Sequence, residues 1–184
     1  MIYQFVDCND LILKTELPLF DFSDPPVNPL DLVSNLAETM LQEGGIGLSA
    51  NQVGLPYRVF VMHAEELIPC FNPRIVDMSN ETVVLEEGCL SYPGMFVKVK
   101  RPRRIKVRYA DPNGKVVTQV FDGMTARVFQ HELDHLNGVN YQQRANWYHL
   151  EQARKKKKQK NKLSGKTENL IRKLNMGSGA LPPL

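Results

Sequence analysis

DGMTARVFQHELDHLNG, residues 122–138, is the stretch on which the fold of this chain turns. Asp122 offers an N-cap and Gly138 a stop, and between them apolar side chains recur at helical spacing. At 3.6 residues per turn, Phe129, Leu133 and Leu136 make one stripe, and Met124, Val128, His131 and His135 make a second beside it. A helix with two such stripes is buried on most of its circumference. His131 and His135 are four residues apart, so both rings leave one face on successive turns and can reach a single ion. Two buried imidazoles without partners are costly, because their ring nitrogens must find hydrogen bonds, and a metal ion removes that cost. H-E-x-x-H on a helix is the pattern in which two histidines bind Zn²⁺ or a similar ion and the glutamate, here Glu132, is the general base for an attacking water. Asp134 is turned about 100° from its neighbours and is expected to be solvated or to orient a ligating imidazole.

Upstream, residues 1–27 read as irregular. Asn28 then offers an N-cap, Pro29 a first helical position, Leu32, Val33, Leu36, Met40 and Leu41 an apolar face, and Gly44-Gly45 a stop. From Leu55 to Asp122 the runs YRVFVM, ETVVLEE, FVKVK, RIKVRY and KVVTQVF predict short strands, with Asp111-Pro112-Asn113-Gly114 as a turn between two of them. Elements segregated in this way imply an α+β domain, with small antiparallel sheets packed around the buried metal-binding helix. From Tyr141 onward the chain is helix-permissive, then basic (RKKKKQKNK), and it ends in GSGALPPL. The expected division is a main domain over 1–140 and a basic helical arm with a frayed end over 141–184.

A chain of 184 residues suffices for one domain with a real core and an appendage. The beginning, MIYQFVDCNDLILK, lacks a basic start followed by an apolar run, and no stretch reaches the roughly 18 apolar residues of a membrane span. A soluble, cytoplasmic protein is expected. Cys8, Cys70 and Cys89 are too few and too scattered for a disulfide framework, which suits a reducing compartment. Between Glu151 and Lys173, ten Lys or Arg stand against two Glu, a local +8; elsewhere 13 basic residues face 18 acidic ones, or −5. The arm is therefore basic and the body mildly acidic.

A catalytic metal site takes three protein ligands and keeps one position for water or substrate. Cys89, in LEEGCLSYPG, is the best third ligand, because it lies at a glycine-flanked strand end where the backbone can turn towards an ion. Cys8 and Cys70 have no such context and read as inert thiols.

Three blocks, GIGLSANQVG (45–54), EEGCLSYPG (86–94) and QHELDHLNGV (130–139), occur in the order and at the spacing of the signature blocks of peptide deformylases, which the chain resembles over roughly residues 10–140. The resemblance implies a metal-dependent hydrolase that removes the formyl group from the N-terminal formyl-methionine of nascent chains and releases formate. It also implies Cys89, His131 and His135 as metal ligands, Glu132 as the acid/base, and Gln52 with the Leu90 N–H as donors to the formyl oxygen. These residue types suit the chemistry: a formamide is a poor electrophile, so it needs an activated water and stabilised charge on the tetrahedral oxygen. By the same resemblance Ile46, Gly47, Leu85, Glu87, Gly88, Met124 and Val128 bind substrate, with Arg127 at the rim. Gly47 would let a peptide edge come alongside, while Gly44 and Gly45 read chiefly as the helix stop.

A thiolate with two imidazoles accepts Zn²⁺, Fe²⁺, Ni²⁺ or Co²⁺, and the resemblance favours Fe²⁺. The basic arm is either a solvated tail or a surface that docks on ribosomal RNA. In three places the chain departs from the family pattern. Ser49 stands where alanine is usual and is expected only to preserve packing. Asn51 stands where proline is common and is expected to loosen the backbone. Phe96 lies near the position of an arginine that contacts peptide in many relatives. Two other functions compete: an H-E-x-x-H endopeptidase, disfavoured by the cysteine in EGCLS, and a non-catalytic structural-metal protein, which would need a fourth ligand.

Overall fold

A computed structural model of the chain describes residues 1–177, with side chains through residue 168; of the expected frayed end, GSGALPPL, all but Gly177 lies outside the described residues. The elements are α1 (Pro29–Gln42), β1 (Gly47–Ser49), β2 (Val59–His63), β3 (Leu67–Met78), β4 (Thr82–Glu87), β5 (Val97–Pro102), β6 (Arg104–Ala110), β7 (Val116–Asp122), α2 (Gly123–Leu136), α3 (Tyr141–Arg144) and α4 (Trp147–Gly177). Five strands form an antiparallel sheet in the order β1-β2-β3-β6-β7, and β4 and β5 form a separate hairpin. The α+β expectation holds.

All five runs read as strands are strands, but β3, which joins the two halves of the large sheet, carries no such signal. Its sequence, LIPCFNPRIVDM, holds two prolines, which remove ladder donors and disguise a strand. The topology accommodates them. Leu67–Phe71 pairs with β2 and Phe71–Met78 with β6, and Pro73 falls in the register shift between Phe71 and Arg74. Asn72 has a φ of 51° at this bulge, and its carboxamide accepts from the Phe20 N–H (2.7 Å) and donates to the Phe20 carbonyl (2.9 Å).

The first helix begins as expected, with Asn28 Oδ1 accepting from the N–H groups of Leu30 and Asp31. Leu32, Val33, Leu36 and Met40 are buried, but Leu41 is exposed, because it lies about 180° around the helix from Leu32. The segment before α1 is more ordered than expected. A 3₁₀ turn spans Leu11–Lys14, and the Leu17 N–H donates to the Leu136 carbonyl at 2.9 Å, bracing the end of α2.

In α2 every residue from Ala126 to Leu136 is buried. One stripe enters the core: Phe129 meets the rings of Phe60 and Phe121 edge-on or tilted, and Leu133 and Leu136 join the same cluster. Asp122 precedes the helix but its side chain makes no cap; the carboxylate instead accepts from Arg103 Nε at 3.2 Å. Gly138 stops the helix with φ 68°, and a Cβ there would lie 2.7 Å from the Lys14 backbone. The helical arm is present with a break: Ala145 is extended between α3 and α4. Its start is packed into the body through Tyr141 and Ala153, which share a cluster with Met95, Val97 and Val99.

Candidate active site

Cys89 follows β4 on a turn closed by the Tyr92 N–H donating to the Cys89 carbonyl at 3.0 Å. This turn brings the thiol over α2. The ligand atoms of Cys89, His131 and His135 all lie within 4.8 Å of one another, and Cys89 Sγ is 3.2 Å from His135 Nε2. One sulfur and two imidazole nitrogens gathered in this way suit a single divalent cation. Cys70 is buried in the core and Cys8 lies elsewhere, so among the described residues no fourth side chain closes the set. That is the donor count of a catalytic site rather than a structural one.

Beneath the histidines lies a buried ion network. Glu87 Oε1 accepts from Arg101 Nε and Arg127 Nη1, both at 2.6 Å, and Oε2 accepts from Arg101 Nη2 at 2.9 Å. Oε2 also meets His131 Nδ1 at 3.0 Å, which places a proton on Nδ1 and leaves Nε2 as the nitrogen that would give up its proton to coordinate an ion. Burial alone would raise the Glu87 pKa, but hydrogen bonds from His131 and Arg101 outweigh it and hold the carboxyl at about 2. Burial would likewise lower His131, yet the Cys89 and Glu87 side chains push it up to about 10. His135 has no carboxylate partner among the described residues, and burial, then the charges of His131 and Arg101, takes it well below its ordinary value.

Two expectations are corrected by this network. Asp134 is neither solvated nor bonded to an imidazole; it is buried and accepts from Arg101 (2.8 Å) and Arg144 (2.7 and 3.2 Å). Arg127 is not at the rim. It is 5% exposed, because Glu87 and the carbonyls of Val83 and Val99 draw its guanidinium inward. Glu87 lines the cleft, and its carboxylate is held within the ion network against His131 and Arg101.

The first sequence block wraps over the same helix. Glu132 is buried next to Gly47, where a Cβ would collide with Oε1 and lie 2.9 Å from Cδ; the missing side chain therefore makes room for the carboxylate. A Cβ on Gly45 would lie 2.7 Å from Leu90 Cδ1, so this glycine also permits a close approach, in addition to stopping α1. Burial raises the pKa of Glu132 against the opposing effects of His131 and Ser49. The Gln52 carboxamide is fixed at both ends: its Oε1 accepts from the Ser49 N–H at 2.9 Å, and its Nε2 lies 3.0 Å from Ser91 Oγ and 3.4 Å from Cys89 Sγ. Asn51 does not loosen this segment. Its Nδ2 donates to the His135 carbonyl at 2.7 Å, pinning the 3₁₀ turn Ala50–Val53 to the end of α2.

These parts open onto a cleft of about 610 Å³ lined by Ile46, Gly47, Gln52, Gly88, Cys89, Leu90, Phe96, Met124, Val128, His131 and Glu132. Met124, Val128 and His131 of the second stripe line the cleft, with Val128 also touching the core that the first stripe enters. Leu85 does not line it; at 40% exposure it sits on β4 opposite Val99. Phe96 is at the mouth, 57% exposed, its ring close against Gly88. Ser91 and Arg101 were not singled out from the sequence, and Ser49 was read only as preserving packing, whereas its hydroxyl meets the Glu132 carboxylate. For Ser49 the departure from alanine was the available signal.

An H-E-x-x-H helix, a thiol donor from a facing turn and an apolar cleft with carboxamide and carboxylate groups at its base together define the class of a metal-dependent hydrolase. The family model described as Polypeptide deformylase matches residues 2–151. A peptide deformylase of Thermotoga petrophila is 45% identical over 130 residues, 70% of this chain and 77% of that one. The crystal structure of the Thermotoga maritima peptide deformylase superposes with a TM-score of 0.76 at 39% identity, covering 79% of this chain and 99% of the other. A plant peptide deformylase structure gives 0.79 at 32% identity, covering 98% and 95%. The chain belongs to the peptide deformylase family, hydrolases that remove the N-formyl group from nascent peptides.

Proposed function

We propose that Cys89, His131 and His135 hold one divalent metal ion, Fe²⁺ as the active ion, and that Glu132 is the acid/base of formyl removal. The bound cation supplies Lewis-acid activation of water and stabilises negative charge. Glu132 takes the proton of the attacking water and delivers it to the amine as the C–N bond breaks, giving formate and a free N-terminus. Gln52 Nε2 and the Leu90 N–H, which has no partner among the described residues, donate to the oxygen that becomes negative. The peptide lies along β1, the edge strand of its sheet, with Gly47 and Gly88 close to its backbone. The methionine side chain enters between Ile46, Met124 and Val128.

The convergence of three donors from two distant segments beside a buried carboxylate carries this reading. Its test is formate release from formyl-Met-Ala-Ser by Fe²⁺-loaded protein. Glu132→Gln is expected to keep its metal and lose turnover, and Cys89→Ala to lose its metal. Full turnover by Glu132→Gln overturns the role of Glu132.

We infer further that residues 1–140 are the catalytic unit and that the arm from 141 docks on ribosomal RNA in the cytoplasm. Support comes from the exposed series Arg154, Lys155, Lys156, Lys158, Lys160, Lys162 and Lys166 along α4. Phosphate contacts would make binding fall steeply with salt. Co-sedimentation with ribosomes that is unchanged by deletion of 151–184 overturns the docking. Among the described residues no helix is long and apolar enough to cross a membrane.

A further inference from the structure

Within the first sequence block, Ser49 departs from the usual alanine, and its hydroxyl does more than fill space. It is fully buried on β1, with Oγ 2.7 Å from Glu132 Oε2 and 3.1 Å from the Glu132 carbonyl. A serine hydroxyl has one proton, and the shorter, charge-assisted contact to the carboxylate claims it. Glu132 therefore has two unlike oxygens. Oε2 accepts from Ser49, whereas Oε1 has no hydrogen-bond partner among the described residues and lies on the side of Gly47, a residue of the cleft wall.

We propose that Ser49 is a positioning residue for Glu132, reserving Oε1 as the oxygen that carries the proton of the reaction. This rests on the role of Glu132 proposed above. The geometry leaves the carboxylate little alternative. Turning it about its terminal torsion would exchange the oxygens and break the Ser49 contact. Withdrawing it would unmake the same hydrogen bond, and moving it further the other way would drive it into Gly47. The hydroxyl and the glycine act as a pair, one holding an oxygen and the other clearing space for its twin. Both come from the segment Gly47–Ser49, so the strand that borders the cleft also sets the carboxylate. A base fixed in one rotamer needs no reorientation at the moment of proton transfer, which is felt in kcat rather than in substrate binding.

The test compares Ser49→Ala and Ser49→Cys with the parent chain, each loaded with Fe²⁺, measuring kcat, KM and metal content. Alanine is the usual residue of this block, and cysteine keeps the shape of serine with a slightly larger atom and only a weak donor, so both variants should fold. Each is expected to lower kcat about tenfold, as for loss of one charge-assisted hydrogen bond, with KM and metal stoichiometry unchanged. In a Glu132→Asp background, where the shortened carboxylate no longer reaches the hydroxyl, Ser49→Ala should lower kcat less than twofold. Unchanged kcat in both single variants overturns the proposal, as does an equal loss in the two backgrounds or a loss that tracks metal content. Full turnover by Glu132→Gln is a different failure, that of the base itself.

Discussion

Replacing Glu87 by glutamine removes one charge and almost no volume from the centre of the ion network, and its consequences can be worked out atom by atom. The carboxylate accepts from three guanidinium nitrogens and from His131 Nδ1, at 2.6 to 3.0 Å. A carboxamide has one acceptor oxygen and one N–H₂ donor, so in either orientation the donor end faces donors. With Oε1 as the nitrogen it meets Arg101 and Arg127; with Oε2 as the nitrogen it meets Arg101 and His131. Arg127 then loses its carboxylate while Arg101 keeps Asp134, and breaking such a buried pair costs about 3–5 kcal/mol, a large share of the ~5–15 kcal/mol that stabilises a domain. His131 loses the partner that fixes its tautomer, which weakens metal binding about 10–100-fold. Urea denaturation with a chelator present measures the first effect free of metal, and competition against a chromogenic chelator measures the second. Wild-type metal affinity in Glu87→Gln would refute the orienting role of Glu87, and an unchanged urea midpoint would refute the energetics of the network.

Acid should expose the same group: because its folded pKa is depressed to about 2 from 4.5, its stabilisation is complete above 4.5 and is lost as pH falls from 4.5 through 2. A plot of unfolding free energy against pH over that window should therefore be flatter for Glu87→Gln than for the parent. Gly47→Ala places a Cβ against Glu132 and is expected to lower kcat about 10²-fold while metal content holds; parent turnover would show that the carboxylate has room to move. Gly138→Ala combines a left-handed backbone with a Cβ 2.7 Å from Lys14, so its denaturation midpoint should drop, corresponding to more than about 1 kcal/mol. In Tyr141→Phe the buried hydrogen bond to the Met95 carbonyl (2.7 Å) is lost, costing about 1 kcal/mol by the same measurement and joining the arm less firmly to the body.

Much of this protein was legible because local patterns were strong. Asn28-Pro29 starts a helix by chemistry that needs no tertiary contact, and alternating apolar runs such as FVKVK describe half-buried strands wherever they pack. The metal donors were legible for a related reason, since the i, i+4 spacing of His131 and His135 puts them on one face of any helix. The strand β3 was not legible. Pro69 and Pro73 look like breaks until the partners are known, and only the handover from β2 to β6 makes both tolerable.

Charged groups divided in the same way. The basic run of α4 could be counted in the sequence, but whether Arg127 and Asp134 reached water could not, since neighbours distant in the chain decide it. Arg127 turns inward because Glu87, forty residues away, supplies its counter-charge, and Asp134 because Arg101 and Arg144 do.

The sequence by itself determined the helix, the three donor side chains and the carboxylate among them, because these depend on residue type and short-range periodicity. Only the tertiary structure decided which oxygen of Glu132 is held by Ser49, which acid meets His131 and which apolar residues line the wall. Those outcomes are set by contacts between segments some forty to eighty residues apart, such as Glu87 with His131 and Ser49 with Glu132, which no local pattern encodes.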